Sequence, residues 1–111
     1  MEITFKNKRL KKSITDPKAS VKAYGKIKAK KIKQRYQEML ASENLEELSK
    51  IPAAYLHPLV GDRKGQWAVK ITGNERLCFI LEHEPVPLLE DNSVDKKAVT
   101  DIRIVFVGDY H

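Results

Sequence analysis

The fold is decided by the stretch from Gln66 to Leu81, which reads QWAVKITGNERLCFIL. Between residues 66 and 71, large apolar side chains alternate with small or charged ones, which is the period of a half-buried strand. Residues 72–75 have the composition of a turn, and residues 76–81 form a second, mostly apolar strand. The stretch therefore predicts a β-hairpin. The side chains predicted to share one face of its first strand are Trp67, Val69 and Ile71, with Ala68 and Lys70 on the other.

Two more strands are predicted outside this hairpin. Residues 2–5 alternate, with Ile3 and Phe5 on one face. Residues 100–107 alternate as well, and Gly108 ends that strand. Its two predicted faces carry Ile102, Ile104 and Phe106 against Arg103, Val105 and Val107.

A helical pattern fills the chain between residues 18 and 41. Asp16 is a suitable N-cap and Pro17 a suitable first helical residue. Gly25 costs this helix about 1 kcal/mol relative to alanine, so its early turns are expected to fray. A buried stripe is predicted from apolar residues that recur at short intervals. Its members are Tyr24, Ile27, Ile32, Tyr36, Met39 and Leu40.

Shorter elements surround this helix. Residues 7–14 are basic and are expected to hold a helical turn, and Ser42 or Asn44 can cap a short helix that stops before Pro52. Residues 83–98 contain prolines and acidic residues and are predicted to form an exposed excursion. The order of strand, helices and then three strands predicts one α+β domain over residues 1–111, with helices packed on one face of a mainly antiparallel sheet.

The composition narrows the class of protein. Cys78 is the single cysteine, so an internal disulfide is impossible, and a reducing cytoplasm is the expected location. No apolar run approaches the roughly 18 residues that a membrane span needs. The net charge of +6 is unevenly distributed: residues 1–37 hold thirteen basic and two acidic residues, whereas residues 38–111 hold eight basic and thirteen acidic ones. This segregation favours a polyanionic partner such as RNA over a merely solvated helix face.

Few residues offer acid–base chemistry. The histidines are His57, His83 and His111, and neither they nor Cys78 have the spacing of metal ligands, so no metal or cofactor is expected. The turn 61–65 is bracketed by glycines and presents Arg63 and Lys64, which suits either a phosphate contact or an ordinary surface connection. RNA can supply its own 2′-hydroxyl nucleophile, which then needs a base, an acid and a cation.

Residues 57–71, HPLVGDRKGQWAVKI, continue to NERLCF at 74–79 and, with the terminal DYH at 109–111, resemble the HigB branch of the RelE/ParE toxin superfamily. The resemblance implies a RelE-like fold and a type II toxin, a ribosome-dependent endoribonuclease that cleaves translated mRNA. It implies catalytic roles for four residues and a phosphate-facing role for Arg76. The four residues are His57, Asp109, Tyr110 and His111.

The same resemblance implies the partners. They are the ribosome with its mRNA, and a helix-turn-helix antitoxin of HigA type through which the toxin reaches operator DNA. Lys26, Lys30 and Lys33 are expected to face ribosomal RNA. The family commonly has a lysine where this chain has Val60, and the 83–98 excursion is longer than usual, which puts full activity in question.

Three other functions stay open at this stage. A ParE-like toxin would poison DNA gyrase without cutting RNA, although such members lack the histidine cluster. A non-catalytic RNA- or ribosome-binding protein would need only the basic helix. An inactive relative would still bind its antitoxin.

Overall fold

A computed structural model describes residues 1–110 of the chain, so the predicted site residue His111 lies outside the described residues. The elements run in the order β1 (Glu2–Phe5), α1 (Lys8–Thr15), α2 (Pro17–Tyr24), α3 (Lys26–Ala41), α4 (Leu45–Ser49), β2 (His57–Pro58), β3 (Gln66–Lys70), β4 (Arg76–Leu81) and β5 (Asp101–Gly108). Short 3₁₀ turns lie at Pro52–Ala54, Gly61–Arg63 and Lys96–Ala98. None of the helices in residues 1–110 is long and apolar enough to cross a membrane.

The five strands form one sheet in the order β1-β5-β4-β3-β2. Strand β1 runs parallel to β5, and every other neighbouring pair is antiparallel. The helices cover one face, called the inner face here, and leave the opposite, outer face open. This confirms the predicted α+β class and the mainly antiparallel sheet. The two-residue edge strand β2, which carries His57, was not predicted.

The central hairpin is formed by β3 and β4 as predicted. Trp67 pairs with Phe79 and Val69 with Leu77, and all four side chains lie in the main core. The turn is closed by a hydrogen bond of 2.7 Å from the Glu75 amide to the Thr72 carbonyl. The predicted shared face of Trp67, Val69 and Ile71 is also confirmed, because all three lie in the main core and only 8% of the Trp67 surface is exposed.

The predicted single helix over 18–41 is two helices. Asp16 caps α2, and its carboxylate accepts a hydrogen bond of 3.0 Å from the Lys18 amide, with Pro17 in the first turn. The helix then breaks at Gly25, whose φ of 83° lies in a region that L-residues with a side chain rarely adopt. The glycine therefore turns the chain into α3 instead of merely loosening one helix.

The buried face of α3 is narrower than the predicted stripe. Ile32 and Met39 are fully buried, whereas Ile27 is 78% exposed and Leu40 47% exposed. Each helical residue advances about 100° around the axis, so Ile27 lies about 140° from Ile32 and Leu40 about 100° from Met39. The apolar spacing alone therefore placed these two side chains on the wrong face.

The shorter helices largely follow the predicted signals. The helical turn expected at 7–14 is a full helix, α1, whose N-cap Asn7 accepts a hydrogen bond of 2.8 Å from the Leu10 amide. Of the two candidate caps for α4, Asn44 is the one that acts, since its side chain accepts from the Glu47 amide at 3.0 Å. The predicted stop before Pro52 is confirmed.

A buried arginine joins the helical layer to the sheet. Arg35 of α3 is 3% exposed, and its Nε donates to the Lys70 carbonyl at 2.8 Å. Its Nη2 donates to the Ala53 carbonyl at 2.7 Å, and its Nη1 pairs with Glu38 at 3.0 Å. The guanidinium thus fixes α3 to the end of β3 and to the turn that precedes β2.

Strand β5 contains a β-bulge that changes its two faces. Cys78 pairs with Phe106, but Phe79 pairs with Ile104, so Val105 is an extra residue. Ile104 faces the main core, whereas Phe106 packs on the outer face. The predicted alternation, with Phe106 on the face of Ile104, is therefore wrong beyond the bulge.

Residues 83–98 are more closely held than an exposed excursion would be. Val86 and Val94 pack against the core, and Leu88 bridges Val94. The segment begins at His83, whose Nε2 accepts hydrogen bonds from the backbone amides of Thr100 and Asp101. The tip, residues 88–93, is exposed as predicted, and so are residues 84–85 and 97–98.

Candidate functional site

The outer face of the sheet carries a row of paired residues that begins at His57. His57 pairs with Ala68, Ala68 with Cys78, and Cys78 with Phe106. Directly paired residues of antiparallel strands place their side chains on the same face. The register therefore puts the His57 imidazole on the open face of the sheet, on the same row as the Phe106 ring.

An open cleft of about 760 Å³ lies at the β2 end of this face, a volume in the range of small-molecule sites. Three predicted site residues line it together: His57, Arg63 and Tyr110. Its other lining residues are Pro58, Leu59, Val60, Asp62 and Gln66. The structure therefore joins residues from β2, from the glycine-bracketed turn and from the C-terminal segment.

The His57 ring is held by its own loop. Its Nδ1 lies 2.9 Å from the Tyr55 carbonyl oxygen, which can only accept, so Nδ1 carries the hydrogen and donates it. In the neutral imidazole this leaves the Nε2 lone pair available for a proton. Tyr55 has a left-handed backbone with φ 47°, and the centroids of the two rings are 5.1 Å apart. The loop thereby selects one tautomer of a half-buried histidine.

Arg63 lines the cleft and packs against two aromatic rings. Its guanidinium carbon lies 4.3 Å from the centroid of the Phe106 ring and 5.5 Å from that of Tyr110. Its Nη1 donates to the Gln66 side-chain oxygen at 3.1 Å. Lys64, the next residue, is exposed. The predicted cationic turn is therefore present, with one cation packed on aromatic rings and the other in solvent.

Arg76 lies on the same face, on the row next to that of His57. It pairs with Lys70 on one side and with Gly108 on the other. Its Nη1 donates to the carbonyls of Gly73 and Glu75, at 2.7 and 3.0 Å, so the guanidinium bends toward the hairpin turn. It remains a basic group beside the cleft that does not line it.

Cys78 lies on the same row of the outer face as His57 and carries a buried thiol. Burial raises the pKa of the Cys78 thiol to about 11, and the positive charges of Arg63 and Arg76 act in the opposite direction. The thiol is fully buried, and its raised pKa disfavours the nucleophilic thiolate.

The C-terminal segment is divided between two surfaces. Tyr110 lines the cleft with His57, whereas Asp109 lines a separate groove that also contains Lys28 and Glu75. Adjacent residues of an extended chain project to opposite sides, which separates the two side chains. The structure therefore does not bring Asp109 into the cleft, and its catalytic role stays a prediction.

Lys26, Lys30 and Lys33, named the lysine patch here, lie on the helical layer. All three are exposed at the rim of a groove between α2 and α3 whose apolar lining includes Val21 and Leu40. Because the helices cover the inner face, the lysine patch and the cleft lie on opposite sides of the sheet. The structure thus separates two groups of predicted RNA-binding residues.

Three residues around the cleft were not singled out from the sequence. The alternation of β3 alone could have placed Gln66 and Lys70 on the outer face, together with Ala68. Phe106 reaches that face only through the bulge, which no local pattern announces. Among residues 1–110, no cluster of three or more histidine, cysteine, aspartate or glutamate side chains is suited to a metal ion.

Comparisons with known proteins bear on the fold. No protein-family model matches the chain, and no curated protein matches it at a significant level. Among solved structures, a YoeB/ParE toxin from Agrobacterium tumefaciens is similar at 11% sequence identity, with a TM-score of 0.56 and full coverage of both chains.

Two structures from Staphylococcus aureus are similar over all of this chain and 98% of theirs. One is a YoeB dimer, at 18% identity and a TM-score of 0.55, and the other is a YoeB-YefM complex, at 15% and 0.51. The HigB branch in particular stays a prediction. The chain has the α+β fold of the YoeB/ParE toxins.

Proposed function

We propose that this chain is the toxin of a type II toxin–antitoxin pair and that it cleaves messenger RNA on the translating ribosome. The observation that carries the proposal is the cleft in which His57, Arg63 and Tyr110 meet on the open face of the sheet. The similarity of the fold to YoeB/ParE toxins supports the same class of protein.

The proposed reaction needs no external nucleophile. A base takes the proton from the RNA 2′-hydroxyl, whose oxygen attacks the adjacent phosphorus and forms a 2′,3′-cyclic phosphate. The bond to the 5′-oxygen breaks, and an acid supplies the proton that this leaving oxygen needs. His57 has its Nε2 available for one of these transfers, and His111 is proposed for the other. Tyr110 is proposed to orient them and the scissile phosphate from the cleft wall, and Asp109, which lines a separate groove, is proposed to assist from outside the cleft.

Cations stabilise the crowded phosphorane in this scheme. Arg63 lies in the cleft wall and Arg76 beside it, and Lys64 and Lys70 extend the positive surface. Val60 is 85% exposed at the position where the resembling family commonly carries a lysine. Arg63 is accordingly proposed as the principal phosphate-binding cation of the cleft.

The lysine patch is proposed to contact ribosomal RNA. It is a compact group of exposed charges in a helical layer of strongly positive composition. It lies across the sheet from the cleft, so the ribosome can be held on one side while mRNA enters on the other. Replacing all three lysines with glutamate is expected to weaken co-sedimentation with ribosomes and to leave the fold intact.

An antitoxin is the proposed partner that restrains the activity. One of the structurally similar proteins, the YoeB from Staphylococcus aureus, is seen as a complex with YefM. For this chain we propose a helix-turn-helix antitoxin of HigA type, with operator DNA bound only through the pair. Toxin, antitoxin and ribosome would meet in the cytoplasm.

The test is primer extension on an mRNA translated in a reconstituted system. Wild-type protein is compared with His57→Ala and His111→Ala, and His83→Gln is the matched control because His83 lies outside the cleft. Cuts within the reading frame that need ribosomes, persist in the control and vanish in both cleft variants are expected. Cuts that survive both substitutions would exclude the proposed acid–base pair.

Other outcomes point to the alternative functions. If the wild type co-sediments with ribosomes but leaves mRNA intact, the chain is an RNA- or ribosome-binding protein. If it neither binds ribosomes nor cuts mRNA but inhibits DNA supercoiling by gyrase, it is a ParE-like poison. The exposed lysine patch is compatible with the first of these, since it needs no catalytic cleft.

A further inference from the structure

Phe106 is a partly exposed aromatic residue on the cleft side of the sheet, and neither the predicted motif nor the proposed chemistry uses it. The bulge at Val105 turns its side chain outward, where it packs against the cluster of Leu59, Ala68 and Cys78. A phenylalanine at this position would otherwise belong in the main core beside Ile104. The β-bulge in β5, the longest strand, therefore places one aromatic ring beside the cleft.

The space for this ring is provided by Gly108. A side-chain carbon at Gly108 would lie 2.9 Å from Cζ of Phe106, closer than real contacts allow, so the ring packs directly over the glycine. On its other side the ring meets Arg63, with 4.3 Å between the guanidinium carbon and the ring centroid. Phe106 is therefore held between a glycine of its own strand and an arginine of the cleft.

We infer that Phe106 is a positioning residue of the cleft, whose ring holds the Arg63 guanidinium flat and aims its free donors at a bound phosphate. The inference rests on the proposed function for the identity of the phosphate, which would be that of RNA. It assigns no proton transfer to Phe106, which acts through Arg63 alone.

The geometry of Arg63 supports this role. A guanidinium has five N–H donors in a rigid plane, and within residues 1–110 the structure gives one hydrogen bond for it, to Gln66. The guanidinium also packs against the Phe106 ring at 4.3 Å and near the Tyr110 ring at 5.5 Å, contacts that restrict its movement. An arginine fixed in this way loses little further side-chain freedom when it binds a phosphate, which is the requirement for a pre-organised cation.

The same contacts connect the cleft to the C-terminal segment. Tyr110 belongs to the apolar cluster that contains Phe106, and it also approaches Arg63. Removing the Phe106 ring would therefore take away the nearer aromatic contact of Arg63 and one member of the cluster on which Tyr110 packs. The cleft would keep the positive charge of Arg63, but the guanidinium would lose its fixed orientation.

The first experiment compares Phe106→Leu with Arg63→Lys and with the double variant in the mRNA-cleavage assay. Phe5→Leu is the matched control, because Phe5 is also partly buried but packs on the inner face against Tyr36. Phe106→Leu is expected to lower kcat about tenfold with little change in KM, since the charge that attracts RNA is retained. The double variant should match Arg63→Lys within about twofold. The inference would be overturned if the losses of the two single variants multiplied in the double variant. It would also be overturned if the kcat of Phe106→Leu were no lower than that of Phe5→Leu.

The second experiment does not depend on nuclease activity. Inorganic phosphate is titrated while the NMR signal of the Arg63 Nε–H is followed in wild type, Phe106→Leu and Phe5→Leu. We expect a resolved signal that phosphate shifts in the wild type and the control, and that broadens and loses its response in Phe106→Leu. A signal that is unchanged by Phe106→Leu would refute the positioning role. If the wild type leaves mRNA intact but this titration behaves as expected, the proposed nuclease function fails and the positioning of Arg63 stands.

Discussion

Replacing Arg35 with methionine tests how the helical layer holds the cleft in place. The substitution keeps an unbranched apolar stem and removes the guanidinium, which leaves the carbonyls of Lys70 and Ala53 without their donor. Hydrogen bonds to a charged group contribute roughly 1.5–3 kcal/mol each. Removing a buried charge also relieves its desolvation cost, which offsets part of the loss. We expect the free energy of unfolding to fall by about 3 kcal/mol.

Urea and thermal unfolding measure this loss. For a domain of this size, about 3 kcal/mol corresponds to a fall in Tm of roughly 10 °C or more. Glu38→Gln is the control, because Glu38 is partly exposed and is one of three partners of Arg35; we expect it to cost less than about 1 kcal/mol. A loss below about 0.5 kcal/mol in Arg35→Met would show that the two carbonyl contacts carry no net stability.

The Arg35→Met substitution should also reduce activity at the cleft. Ala53 lies in the 3₁₀ turn that leads to Tyr55, whose carbonyl orients the His57 ring. With Arg35 gone, this turn loses its tie to α3, so mRNA cleavage by the folded variant at low temperature should fall while cleavage by Glu38→Gln should not. Full activity of a folded Arg35→Met variant would mean that the turn keeps His57 in place unaided.

Three further changes have defined outcomes. Gly108→Ala should cost about 1–3 kcal/mol in urea unfolding and reduce mRNA cleavage, because its new Cβ meets the Phe106 ring; unchanged values in both assays would contradict the packing described. Burial raises the pKa of Cys78 from about 9 to about 11, so the stability that the neutral thiol contributes should be lost as pH rises through this window, by up to roughly 3 kcal/mol. In Cys78→Ala, the free energy of unfolding measured in urea should fall less over the same pH range. An equal fall in the variant would show that the thiol is not its cause. Reversing the three charges of the lysine patch should weaken ribosome co-sedimentation with an unchanged circular dichroism spectrum, and full binding would remove its proposed role.

The elements that could be predicted are those with a strong local signal. The hairpin of β3 and β4 has a two-residue alternation and a turn-rich connection. The pairing of Trp67 with Phe79 agrees with both. The start of α2 was readable because Asp16 and Pro17 each satisfy a requirement of a helix N-terminus. Such features depend on neighbours in sequence and were therefore accessible from the sequence alone.

The features that escaped prediction depend on distant contacts. The bulge in β5 exists only relative to the register of β4, so the outward turn of Phe106 could not be seen in the alternation of β5 itself. The buried position of Arg35 likewise depends on carbonyls from two other elements. Gly25 was noted as a weak point of a helix, but a full break also required the packing of α2 against α3.

The candidate site shows the same division. His57, Arg63 and Tyr110 were selected from motif and resemblance, and the structure places them in one cleft. Asp109 was selected on the same grounds but lines another groove, because adjacent residues of an extended segment project to opposite sides. A motif thus identifies which residues belong together in the chain but does not determine which way each side chain points.

The parallel pairing of β1 with β5 has a consequence for how the molecule reaches this structure. Glu2 pairs with Asp101, so the contact closes a loop that contains nearly the whole chain, whereas the β3–β4 hairpin closes a few residues. Local elements assemble quickly and pairings between distant segments form slowly. Until β1 arrives, one edge of β5 presents unpaired backbone amides and carbonyls to any other strand it meets. Misassociation between newly made copies should therefore begin at this edge, and the docking of β1 is the step that ends the risk.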